Sequence, residues 1–304
     1  MAIVDTQIKI DPRLLQRLKG IELKSRFLVR GLYNNRHRTS DFGSSTEFVE
    51  HREYRRGDEI KSIDWRVYAR SGRFYVKVHE MEANMRVQIL LDTSDSMRVP
   101  GADGLPSKLE LAATVAGAIA RMVQTQQDAV GLACLGSGID EHLPARQGTN
   151  HLQQMYRHLN EPKGGGGGDF PQLLKDIAAR LGKRAMIFVI SDCLDDPVAL
   201  KDALKNFRVR EQDVTLIQVF DQRELDFPYD QMTEFRHPET GERVIADPAA
   251  LRKTYLERLH QHIARVEDAC QKAQADYLRL HTGDDLVKLM SLHFIRRTLT
   301  GGTH

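Results

Sequence analysis

Cysteine is scarce in this chain. The three in 304 residues, Cys134, Cys193 and Cys270, lie far apart with no C-x-x-C spacing. That argues against a disulfide framework or a cysteine-built zinc site, and it fits a reducing, cytoplasmic setting. Long apolar runs are missing as well, so no segment is expected to span a bilayer. The first twenty residues, MAIVDTQIKIDPRLLQRLKG, carry charges throughout and lack the apolar core of a signal peptide or anchor. Net charge is nearly absent, at +2. It conceals an asymmetry, because residues 1–85 hold 17 Lys/Arg against 12 Asp/Glu and the remainder 27 against 30. A basic front can face nucleic acid or an acidic partner, but the interleaving of Arg with Glu favours a plain solvated surface. What is present is ordinary for a folded globular protein, 41% hydrophobic and 28% charged residues, and the length suits one large domain with a smaller appendage.

Periodicity divides the chain near residue 84. In front, Asp11-Pro12 is expected to cap a helix with Leu14, Leu15, Leu18 and Ile21 on one stripe, followed by an Arg-, Asn- and Ser-rich loop over 28–45. Residues 47–82 alternate in strand fashion with a turn at Ser71-Gly72, which predicts a small β-rich element; residues 1–84 are thus read as a helix plus this element. From 85 to 304 strands and helices alternate. Strands are predicted at 86–92, 129–135, 139–144, 185–191, 214–220 and 276–280, and helices at 107–124, 149–159, 170–181, 197–207, 248–273 and 284–298. VQILLD, AMIFVISD and VTLIQVFD are near-continuous apolar runs ending in Asp, the mark of parallel strands buried on both faces. The fold class is therefore α/β, a doubly wound, mostly parallel sheet.

Such sheets bind ligands beyond the strand ends, where strand order reverses. If the order is that of dinucleotide-binding folds, the strands ending at Asp92 and Asp192 are neighbours there and face one crevice. Within RVQILLDTSDSM, Asp92, Ser94 and Ser96 offer a carboxylate and two hydroxyls that suit a hard divalent cation, Mg2+ above all, with Mn2+ or Ca2+ as options. Asp192 in VISDCLDD is the second acidic ligand, direct or through water, since Asp195 or Asp196 is better placed to cap the helix from Pro197. The run Gly164–Gly168 is not a P-loop, as no Lys-Ser/Thr follows, and it reads as a flexible rim of the site. Thr149 reads as a helix N-cap. His260 and His262 face different sides of their helix; His151 and His158 share a face without nearby acids, so surface or packing roles are expected of all four.

The D-x-S-x-S spacing resembles the metal-ion-dependent adhesion site of von Willebrand factor A-like proteins. A second resemblance covers nearly the whole chain. Tyr54–Glu82, with Arg55, Gly57, Asp58, Asp64, Trp65, Ala69, Arg70, Lys77 and Glu82, is similar to the signature of a bacterial family known as domain of unknown function fifty-eight; ISDCLDD and TGERVIADPAALRKTYLERL continue the match. Members resemble von Willebrand A domains, and their genes accompany those of MoxR-type AAA+ ATPases. The resemblance implies an adaptor or chaperone-like role with such an ATPase and a client protein; the residues themselves, with no nucleophile-base pair or acid-base dyad readable near the site, lead to the expectation of no catalytic turnover. The resemblance also implies a threonine ligand, where this chain has Gly168; Gly168→Thr is expected to restore it unless Gly168 takes a positive φ.

From the residues themselves, Trp65, the sole tryptophan, is expected to seat the front element against the main domain. Gly57-Asp58 reads as a turn, and Arg55, Arg70, Lys77, Glu80 and Glu82 as an ion-pair network. Two other functions stay open. Gly72–Val78 faintly resembles an RNA-binding aromatic strand, which with the basic front allows nucleic-acid binding. A metal-dependent phosphohydrolase of the haloacid dehalogenase type would need a second Asp two residues after Asp92, where Ser94 stands.

Overall fold

The computed structural model describes residues 12–13, 18–39, 50–54, 63–78, 85–102 and 104–291. In chain order it contains helix α1 (Ile21–Thr39), strand β1 (Glu50–Glu53), α2 (Trp65–Ser71), β2 (Tyr75–Val78), β3 (Arg86–Asp92), α3 (Lys108–Thr125), β4 (Ala129–Leu135) and β5 (Ile139–Arg146). Then follow α4 (Thr149–Asn160), α5 (Phe170–Arg180), β6 (Ala185–Ser191), α6 (Pro197–Val209), β7 (Asp213–Phe220) and α7 (Gln222–Asp226). Last come β8 (Thr233–Arg236), β9 (Arg243–Ala246), α8 (Pro248–Lys272) and β10 (Asp276–His281).

Six strands form one sheet of order β10-β7-β6-β3-β4-β5, all parallel except the antiparallel edge strand β5. The doubly wound, mostly parallel α/β class expected from the sequence is the one observed. Alternation along β3 sends Val87, Ile89 and Leu91 into a core shared with α1, α3 and α4, while Leu90 joins a second core with α5, α6 and α8. Both faces are therefore covered, which is why these strands are apolar nearly throughout. Each fully buried Val, Leu or Ile contributes roughly 1.5–3 kcal/mol of transfer free energy.

The front of the chain departs from expectation. Residues 28–45 were expected to be loop, yet α1 runs to Thr39, burying Ile21, Leu28, Val29 and Leu32. Its Arg- and Asn-rich remainder dominates the composition and hides the apolar stripe. The chain accordingly divides into two compact units at different places: one comprises the chain to Arg36 with everything from Met85, the other His37–Asn84. Most of α1, placed by the sequence with the front element in residues 1–84, thus groups with the α/β unit.

The second unit contains the antiparallel pair β1–β2, extended by a bridge between Ile63 and Val76. WRVYARS, expected as strand, is helix α2. Asp64 caps it, accepting from the N–H groups of Arg66 and Val67, and Gly72 closes it at φ 65°. Trp65, expected to pack, is 57% exposed and meets Tyr68 and Phe74 edge-on within its own unit. Leu14 and Leu15, the Gly57-Asp58 turn, and Arg55, Glu80 and Glu82 lie outside the described residues.

Candidate functional site

Strand order reverses between β3 and β6, which are hydrogen-bonded neighbours, so their carboxyl ends open into one crevice. β3 delivers Asp92 as its last residue, and Asp192 follows directly on β6. The turn Asp95–Arg98 is a short 3-10 helix that presents Ser96. Asp92, Ser94, Ser96 and Asp192 line a cavity of about 310 Å³ together with Gly168, Asp195, His237 and Glu239. The structure thus brings together every site residue expected from the sequence.

Asp92 is held from both sides: Oδ1 accepts the Ser94 backbone N–H at 2.9 Å, and Oδ2 accepts the Ser191 hydroxyl at 2.6 Å. The Ser94 and Ser96 hydroxyl oxygens lie 3.0 Å apart. Burial, and then the facing Asp192 carboxylate, push the Asp92 carboxyl well above the usual range.

Sequence reasoning missed a buried cation. Ser107 forms a capping box with Glu110 and so fixes Lys108 as the first residue of α3. The Lys108 ammonium donates to Asp192 Oδ2 at 2.8 Å and to Glu224 Oε1 at 2.7 Å. Burial alone would lower its pKa, but the two carboxylates together outweigh that and raise it, so the ammonium stays charged. The available signal was topological: the helix after β3 starts at the switch point, which places its first residue over the crevice.

A divalent cation is implied by the adhesion-site resemblance, and the donor set fits it in part. Asp92, Ser94 and Ser96 would hold the ion, whose positive charge would relieve the strained pairing of Asp92 with Asp192. One oxygen of Asp192 is already committed to Lys108. At Gly168 the obstacle to threonine is not a positive φ: a Cβ there would stand 2.6 Å from the Gly136 carbonyl oxygen.

The glycine run is tethered rather than free. Arg98 donates to the Gly164 carbonyl at 2.7 Å, Ser137 N–H to that of Gly165 at 3.0 Å, and Asp95 N–H to that of Gly166 at 3.3 Å. At Gly164, φ is +105°, a backbone conformation that favours glycine, and a Cβ there would also crowd the Asp140 carboxylate and the Thr93 hydroxyl. The hairpin β8–β9, absent from the sequence expectation, brings His237 and Glu239 to the rim. Burial, with Asp192, Asp169 and Glu239 adding repulsion, raises Asp195 to about 6.

Other expectations resolve locally. Asp196 caps α6, accepting from Val198 and Ala199 N–H groups, so Asp192 is not the cap of that helix. Gly148, not Thr149, is the cap residue of α4; Thr149 is exposed and outside the cavity. His158, expected to lack an acid, lies 2.5 Å from Glu141 across the fold. His151 bonds the Val130 carbonyl and His262 that of Cys193, both packing roles.

The model of the family described as "Protein of unknown function DUF58" matches residues 50–265. The chain belongs to this family. An uncharacterized protein of Mycobacterium tuberculosis (strain ATCC 25618 / H37Rv) is 26% identical over 279 residues, 90% of this chain and 87% of the relative; one of Mycobacterium bovis matches equally. Among solved structures the chain is similar to the conserved hypothetical protein BatB of Bacteroides thetaiotaomicron, at 16% identity, covering 71% of this chain and 99% of that one, with a TM-score of 0.47. It is also similar to the SpRpn10 VWA domain, at 13% identity, 68% and 93% coverage and a TM-score of 0.38. This family member has no helix, among the described residues, long and apolar enough to cross a membrane.

Proposed function

We propose that this DUF58 protein is a non-catalytic, cytoplasmic binding module that captures a client protein at the switch-point cavity. The reading rests on one observation: Asp92, Ser94 and Ser96 converge on that cavity with Asp192 behind them. Beside them stands an ion-paired lysine rather than a nucleophile and base. Mg2+ is the cofactor, held weakly, because Asp92, Ser94 and Ser96 supply about half of the six oxygens it prefers. An Asp or Glu of the client completes the shell, so metal and client each raise the other's affinity. A MoxR-type AAA+ ATPase, implied by the family resemblance, acts with it in assembly or maturation of the client. Affinity capture on the full chain, with magnesium or with chelator and read by mass spectrometry, tests this: a client and an ATPase retained only with magnesium are expected. An identical set in both, or in an Asp92→Ala variant, overturns it.

A second reading is favoured by the exposed rings of Trp65, Tyr68 and Phe74, with Arg66, Arg70 and Arg73 in the same stretch. Such a surface suits single-stranded nucleic acid. Salt-dependent retardation of an oligonucleotide, lost in Trp65→Ala, would support it over client capture.

A further inference from the structure

At the opposite end of the sheet lies a smaller cavity, about 160 Å³, lined by residues that include Arg86, Gln88, His142, Arg180 and Gly182. Its origin is an anomaly in the sequence. Between Arg86 and the terminal Asp92 the strand is apolar except for Gln88, which is 3% exposed on a central strand of the sheet. Across the ladder stands Gly131. A Cβ at Gly131 would lie 2.3 Å from Gln88 Oε1 and 2.6 Å from the Leu143 carbonyl oxygen, so only glycine lets the amide lie there with β5 close by. The β4–β5 ladder shifts register at this point, between Val130 and Leu132.

Two buried side-chain atoms of residues lining this cavity, Gln88 Nε2 and His142 Nε2, have no hydrogen-bond partner among the described residues. Native interiors rarely leave such groups unpaired, and those that do call for a ligand or a water. The surroundings select the ligand's charge. Among the described residues no carboxylate forms an ion pair with Arg86 or Arg180, and none lines the cavity. Burial and the charge of Arg180 lower the pKa of His142, leaving a neutral ring able to donate from Nε2. The carboxyl end of α5, which ends at Arg180, contributes about half a negative charge, far less than two guanidinium groups.

We propose that this cavity binds a phosphoryl-sized oxyanion, inorganic phosphate or the phosphate of a monoester, through Arg86, Gln88, His142 and Arg180. An amide N–H, an imidazole N–H and two guanidinium forks supply donors in several directions, which suits a tetrahedral dianion better than a planar carboxylate. Arg86 and Arg180 are exposed and Gln88 is buried, so the ion enters past the guanidinium groups and stops at the amide. The site is independent of the switch-point cavity and shares no residue with it.

Calorimetric titration of the full chain at constant ionic strength, with inorganic phosphate, phenyl phosphate and acetate, tests the proposal. Saturable binding of phosphate is expected, with acetate much weaker. Gln88→Met, close in shape but without the donor, and Arg180→Ala, at an exposed position, should each weaken it about tenfold, the loss expected for a hydrogen bond to a charged group. Phenyl phosphate binding as tightly as phosphate assigns the site to esters, and phosphate alone to the free ion; either supports it. No saturable phosphate binding, equal affinity in wild type and a folded Arg180→Ala variant, or acetate matching phosphate overturns it.

Discussion

Asp92 is where residue-scale chemistry and stability conflict. Its carboxyl, raised by burial and by Asp192, binds its proton more tightly in the folded chain than in the unfolded one. The stability this group contributes is therefore fully present below the ordinary carboxylate range, about 4, and is lost as pH rises towards the raised folded value. In chelator at neutral pH, Asp92→Asn should unfold at higher urea than the wild type, by on the order of 1 kcal/mol, and show a flatter dependence on pH. Equal midpoints from pH 4 to about 8 would contradict the raised carboxyl. Gly168→Thr should do the opposite of restoring a ligand: its Cβ meets the Gly136 carbonyl oxygen, so a loss of about 1–3 kcal/mol is expected, with no gain in magnesium affinity by calorimetry. At this scale the D-x-S-x-S residues were legible because their pattern is local. Lys108 was not, since its partners lie 84 and 116 residues away.

Among the elements, α1 decides how the chain divides. Leu28 is fully buried in the core it shares with α3 and α4. Leu28→Ala should cost about 2–5 kcal/mol, measured by urea unfolding, although sequence patterning places this residue in a loop. A loss under about 0.5 kcal/mol would return α1 to the front unit. The parallel strands were legible because burial on both faces writes itself as unbroken apolar runs. The helix α2 was misread because alternation in WRVYARS mimics a strand, while Asp64 and Gly72, its two caps, carry the deciding information. The β8–β9 hairpin escaped notice because its strands are four residues each and largely exposed, so no buried face is imprinted on them.

Across the whole molecule, Lys108 joins the start of α3, the end of β6 and helix α7 over the switch point. Lys108→Met should leave Asp192 and the less buried Glu224 unpaired and cost about 3 kcal/mol, read by denaturant unfolding. A variant as stable as wild type would mean that the triad is solvent-screened. The sequence by itself determined the α/β class, the six strands of the main sheet and the acidic strand ends, because hydrophobic periodicity and short motifs are properties of neighbouring residues. Only the tertiary structure decided that Asp192 is ion-paired with Lys108, that backbone rather than φ bars a threonine at Gly168, and that Gln88 Nε2 has no partner among the described residues, in a cavity lined by two arginines. Those facts depend on which strands lie side by side and on distances of a few ångströms between residues remote in the chain, and no local pattern encodes them.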